Sequence, residues 1–86
     1  MLEMHVIFFG DVQGVGFRAT ARRFALHLGL VGYVCNLPDG TIELLAQGSK
    51  EQLQSLLDQL NKNFNISKTE QKYQNFSASY NQFLIR

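Results

Sequence analysis

The sequence predicts an α+β fold, with two helices packed on one face of a mostly antiparallel sheet. The element order is β-α-β-β-α-β with an additional short C-terminal strand. Three observations carry this reading. The apolar run Val6 to Phe9 passes through a glycine-rich turn into residues at helical spacing. Two strand-like stretches flank Leu37-Pro38-Asp39-Gly40, which has the chemistry of a tight turn. Ser49 and Gln52 then open a leucine stripe, as a capping box opens an amphipathic helix.

The first strand covers Met4 to Phe9. Alternation places Met4, Val6 and Phe8 on one face and His5, Ile7 and Phe9 on the other. From Phe17 to Leu28, Phe17, Ala21, Phe24, Ala25 and Leu28 recur at helical spacing, with Arg22, Arg23 and His27 turned to solvent. Gly29 stands where a helix-ending glycine belongs, and His27 suits the negative end of the dipole. Leu30 to Leu37 is a second strand, and Thr41 to Gln47 a third. In the third, Ile42, Leu44 and Ala46 share one face and Thr41, Glu43 and Gln47 the other, with Leu45 breaking the polar side. The second helix carries Leu53, Leu56, Leu57, Leu60 and Phe64 on one stripe. Each fully buried leucine there is worth roughly 2 kcal/mol. Asn65 to Asn75 is polar and reads as an edge strand, and Phe83 to Arg86 as the final one. The whole is the ferredoxin-like arrangement, with the sheet's second face open.

Size and composition bound the function. The 86 residues make one domain, 1–86, with no room for a second core. A net charge of +1 offers no strong attraction to nucleic acid or anionic membrane. No apolar run approaches the roughly 18–20 residues of a spanning helix. The N-terminus is expected to be no secretory leader, since it lacks the basic region that precedes an apolar core and no small-residue cleavage site follows, and the lone Cys35 suits a reducing compartment. The expectation is a cytoplasmic monomer, so the sequons Asn65-Ile66-Ser67 and Asn75-Phe76-Ser77 read as chance.

The stretch Gly10 to Arg18 is where chemistry gathers. Its three glycines let backbone approach a ligand, and Arg18 stands at a helix start, where free N–H groups and the dipole favour an anion. A Walker A loop is excluded, because neither lysine nor Ser/Thr follows Gly16. The loose dinucleotide pattern Gly14 to Ala19 lacks the ribose-binding acid at the end of a second parallel strand; Asp39 lies in a hairpin turn. No histidine is placed to activate Cys35, and His5, His27 and Cys35 have no metal-ligand spacing. Asn36 ends the second strand on the helix side and can reach the anion site. An asparagine before Pro-Asp-Gly is also an ordinary turn residue, and spacing does not choose between the two.

The run Val12-Gln13-Gly14-Val15-Gly16-Phe17-Arg18 resembles the signature of the acylphosphatase family. Leu28 to Asn36 followed by Asp39-Gly40 resembles its second signature, and Gly48 and Phe83-Leu84-Ile85-Arg86 fit the same pattern. The resemblance implies a ferredoxin-like fold and hydrolysis of a carboxyl–phosphate anhydride, without metal or other cofactor. It also implies that Arg18 and the backbone N–H groups of Gln13, Gly14, Val15, Gly16, Phe17 and Arg18 hold the phosphoryl oxygens, while Asn36 orients the attacking water. Two departures stand out. Asp11 occupies a position usually basic in the family, where its carboxylate would oppose an anion. The Gly-Pro that usually follows the second helix is replaced by Asn61 to Asn65. A non-catalytic phosphate or acyl-phosphate binding module is the alternative on the same fold. RNA binding ranks last, because Thr41 to Gln47 has neither the aromatic nor the basic residues of an RNA-reading strand.

Overall fold

In the computed structural model, which describes residues 2–75 and 79–86, the element order is as the sequence predicts. It runs β1 (Leu2–Asp11), α1 (Phe17–His27), β2 (Val31–Asn36), β3 (Ile42–Gly48), α2 (Lys50–Asn63), β4 (Asn65–Gln74) and β5 (Phe83–Ile85). The five strands form one sheet in the order β4-β1-β3-β2-β5. β1 pairs antiparallel with β3 and β4, and β2 pairs antiparallel with β3 and parallel with β5. The sequon at Asn75 and the stretch proposed from Phe76 onward run into residues outside those described.

Alternation decides which face is covered. Met4, Val6 and Phe8 of β1 and Ile42, Leu44 and Ala46 of β3 are buried beneath the helices. Against them α1 lays Phe17, Ala21 and Ala25, and α2 lays Leu53, Leu56, Leu57 and Leu60. Phe17 joins the layers, its ring centroid 5.0 Å from Phe8 and 4.8 Å from Phe64. Such tilted aromatic pairs add to the burial itself.

Both helix boundaries come from local chemistry. α1 ends in a Schellman motif, with Leu30 N–H bonded to Ala25 C=O at 2.9 Å and Gly29 N–H to Leu26 C=O at 3.1 Å. Leu28 is therefore its cap and not its last turn. α2 opens on the full capping box: Ser49 Oγ accepts from Gln52 N–H at 3.2 Å, and Gln52 Oε1 accepts from Ser49 N–H at 2.9 Å. Gln52 Nε2 also donates to Leu28 C=O at 2.8 Å, tying the two helices together.

The open face differs from expectation at Gln47, and two further side chains meet the chain around β5. Gln47, assigned to the polar side, is 2% exposed; its amide donates to Glu3 Oε1 at 3.0 Å and accepts from Tyr80 N–H at 3.1 Å. Tyr33 is covered by the chain around β5, with the Arg86 guanidinium 4.0 Å above its ring and Tyr80 packed beside it. Arg22 is exposed, as expected, and its Nε also donates to Phe83 C=O at 3.0 Å, which helps to dock β5. The common cause is the edge position of β5, which brings residues 80–86 back onto β2.

Candidate active site

The loop between β1 and α1 is shaped by glycine. Gly14 and Gly16 both have φ near +80°, a left-handed conformation that residues with a Cβ rarely adopt. Gly16 is the cap residue of α1 and makes no side-chain cap bond, and the first turn of the helix holds no acid. The first intrahelical bond is Thr20 N–H to Gly16 C=O at 3.1 Å. The N–H groups of Phe17, Arg18 and Ala19 therefore precede the helix ladder and point out of the helix end. A helix start left uncapped in this way is a ready anion site.

A cavity of about 210 Å³ opens there, lined by Gly14, Gly16, Phe17, Arg18 and Ala19 from the loop and helix start. Val12, Ile42 and Ile85 supply apolar wall, and Asn36 closes it from the end of β2. The volume is below the ~300–1,000 Å³ of sites for drug-sized ligands, which suits a small anion carrying a short apolar group. Of the sequence-predicted residues, the fold thus brings together Gly14, Gly16, Phe17, Arg18 and Asn36. Gln13 and Val15 do not line the cavity; Val15 is exposed at the loop tip, and the Gln13 side chain reaches away to the β2–β3 turn. Ile42 and Ile85 carried no sequence signal for the site, since each reads as an ordinary strand residue.

Arg18 projects from the first turn of α1, and its Nη1 donates to Arg86 C=O at 3.3 Å. Among the described residues no aspartate or glutamate side chain lies in ion-pair range of Arg18, and the guanidinium N–H groups not bonded to Arg86 stay available to an anion. Asp11, the expected antagonist of phosphate, does not line the cavity. It ends β1 and accepts from Asn65 Nδ2 at 3.5 Å, on the side of β4.

The turn after Asn36 is braced. Asp39 accepts from Thr41 N–H at 3.0 Å and from the Thr41 hydroxyl, and these bonds hold its carboxyl below the ordinary range. Leu37 N–H donates to Thr41 C=O at 2.9 Å, closing the hairpin one residue beyond Asn36.

The remaining chemical groups lie elsewhere. Cys35 is on the sheet's open face, where burial, followed by its bond to Glu43, pushes its thiol up and away from the nucleophilic thiolate. His5 is also on that face, bonded to Glu43 and remote from the loop. Among the described residues no group of three or more His, Cys, Asp and Glu is placed to hold a metal ion. Among the described residues no helix is long and apolar enough to cross a membrane.

Known proteins resemble this chain in sequence and in overall fold. The acylphosphatase of Methylococcus capsulatus is 53% identical over 57 residues, which cover 66% of this chain and 62% of that protein. That aligned stretch is thus less than two thirds of the relative's length. The crystal structure of acylphosphatase from Bacillus subtilis superposes with a TM-score of 0.95 at 31% identity, covering 100% of this chain and 99% of that one. T. kodakarensis HypF gives a TM-score of 0.86 at 29% identity, with 100% of this chain matching 12% of a larger one. The acylphosphatase family model matches residues 4–85. In sequence and in fold alike, this chain belongs to the acylphosphatase family.

Proposed function

We propose that this chain hydrolyses an acyl phosphate, a carboxyl–phosphate mixed anhydride, to a carboxylate and inorganic phosphate. The observation that carries the reading is a single small cavity where Arg18, the uncapped start of α1 and the Asn36 side chain meet. In this reading Arg18 and the N–H groups of the Gln13 to Arg18 loop hold the phosphoryl oxygens, and Asn36 orients the attacking water. Arginine suits that role because its planar fork bonds two oxygens and stays charged.

The chemistry asks for little else. Phosphoryl transfer is accelerated mainly by positioning and by stabilising charge spread over the oxygens, so a protein nucleophile is not needed. The leaving carboxylate has a conjugate acid of pKa roughly 4–5 and departs without a general acid. The reaction as drawn uses no metal.

The decisive experiment is hydrolysis of a simple acyl phosphate by the purified protein with EDTA present. Wild type turns over, and Arg18→Ala loses activity by about 10³-fold or more while remaining folded. Full activity in Arg18→Ala sinks this mechanism. Phosphate binding without turnover favours the binding-module reading. Residues 1–86 are read as one domain acting as a cytoplasmic monomer, supported by the near-neutral charge and the single cysteine. Sedimentation at working concentration tests the monomer.

A further inference from the structure

Gln13 begins the phosphate loop, yet its side chain spends its hydrogen bonds on another element. Nε2 donates to Leu37 C=O at 2.9 Å and to Thr41 C=O at 2.8 Å. A primary amide carries two N–H groups on one nitrogen, and here each meets one carbonyl. Two flanking acceptors also settle which way the amide points, because only its nitrogen can face both. These carbonyls mark the two ends of the turn that follows Asn36, whose end residues are joined by the Leu37 N–H to Thr41 C=O bond. One side chain therefore links the start of the anion loop to the segment that carries Asn36.

The geometry points to Gln13 as a positioning residue that holds Asn36 in register with the phosphate loop. The inference rests on the catalytic reading above and adds to it a coupling between the two halves of the site. Arg18 rides on α1 and Asn36 on β2, so the covalent chain does not fix their separation. Productive alignment is demanding: a displacement of about 1 Å costs on the order of 10²-fold in rate. The clamp lies one residue from Asn36, close enough to control a shift of that size.

A purely structural role predicts something different. Leu37 C=O also accepts from Gly40 N–H at 3.2 Å, and Thr41 C=O from Leu37 N–H at 2.9 Å. Neither carbonyl is orphaned when the Gln13 amide is removed, so the turn keeps its own bonds and the Asp39 brace. What is lost is the connection between turn and loop.

The test uses Gln13→Met, similar in length and without a donor, in wild-type and Asn36→Ala backgrounds. Turnover of an acyl phosphate and inhibition by inorganic phosphate are measured for all four proteins. In the wild-type background kcat falls about ten- to a hundredfold, while the phosphate inhibition constant stays within about twofold. In the Asn36→Ala background Gln13→Met changes kcat by less than about twofold, because its effect passes through the missing amide. An unchanged kcat in the single variant, equal losses in both backgrounds, or phosphate affinity falling in step with kcat overturns the assignment. A wild type without activity sinks the catalytic reading instead. The placement is then judged from the Asn36 side-chain amide resonances, which Gln13→Met shifts if the clamp holds them and leaves unmoved if it does not.

Discussion

His5 Nε2 lies 2.7 Å from Glu43 Oε2, a diagonal contact across β1 and β3, where the direct partners are His5 with Leu45 and Ile7 with Glu43. This bond is the largest influence holding the Glu43 carboxyl below its ordinary value of 4.5; burial opposes it, and the Cys35 thiol reinforces it. A carboxyl depressed in the folded state contributes stability above its unfolded pKa, and that contribution is lost as pH falls through the folded value. The wild type should therefore lose stability on acidification below pH 4.5 more steeply than Glu43→Gln does. Urea midpoints measured across that range decide it; parallel curves would show that the bond has no linkage to folding.

Asn36→Ala should separate binding from chemistry. Arg18 and the helix start hold the anion without Asn36, so inhibition by phosphate should change by less than about threefold. Loss of one positioned polar group should lower kcat by about 10²–10³-fold. Equal weakening of both would place Asn36 in phosphate binding and not on the water.

Two glycines should respond in opposite ways. A Cβ on Gly32 meets the Leu45 carbonyl of the neighbouring strand, at a φ of +143°. Backbone cannot retreat there without breaking the β2–β3 ladder, so Gly32→Ala should fail to fold. Gly14 at φ +78° has nothing within 4 Å of that position. Gly14→Ala should fold, with a strain cost of about 1–2 kcal/mol, and lose phosphate affinity because the loop relaxes. Circular dichroism separates the two, and phosphate inhibition tests the second.

Phe83→Ala should be more damaging than its place near the end of the chain suggests. Phe83 is fully buried and belongs to the core, and it anchors a strand of three residues. Its truncation should cost about 3–5 kcal/mol in chemical denaturation. The same strand presents Ile85 to the cavity, and the residue after it, Arg86, gives a main-chain oxygen to Arg18, so acyl-phosphate turnover should fall as well. A loss under about 1 kcal/mol would mean that β5 packs more loosely than described.

Features that depend on neighbours in the chain are legible in the residues alone. The alternation of Met4, Val6 and Phe8, the Schellman end at Gly29 and the Ser49–Gln52 box are legible because their physics acts over a few residues. The glycine loop and Arg18 were legible for the same reason, and Asn36 only because a β-α-β unit brings those two ends to one edge. Tertiary structure decided what depends on partners far apart in the chain. The burial of Gln47, the parallel docking of β5 on β2, the turn of Asp11 toward Asn65 and the reach of Gln13 to the hairpin each join segments 24 or more residues apart. No local propensity encodes such pairings; they follow from sheet order and register. The loop that opens α1 is therefore an anion cradle by sequence, and its meeting with Asn36 in one cavity is the work of the fold.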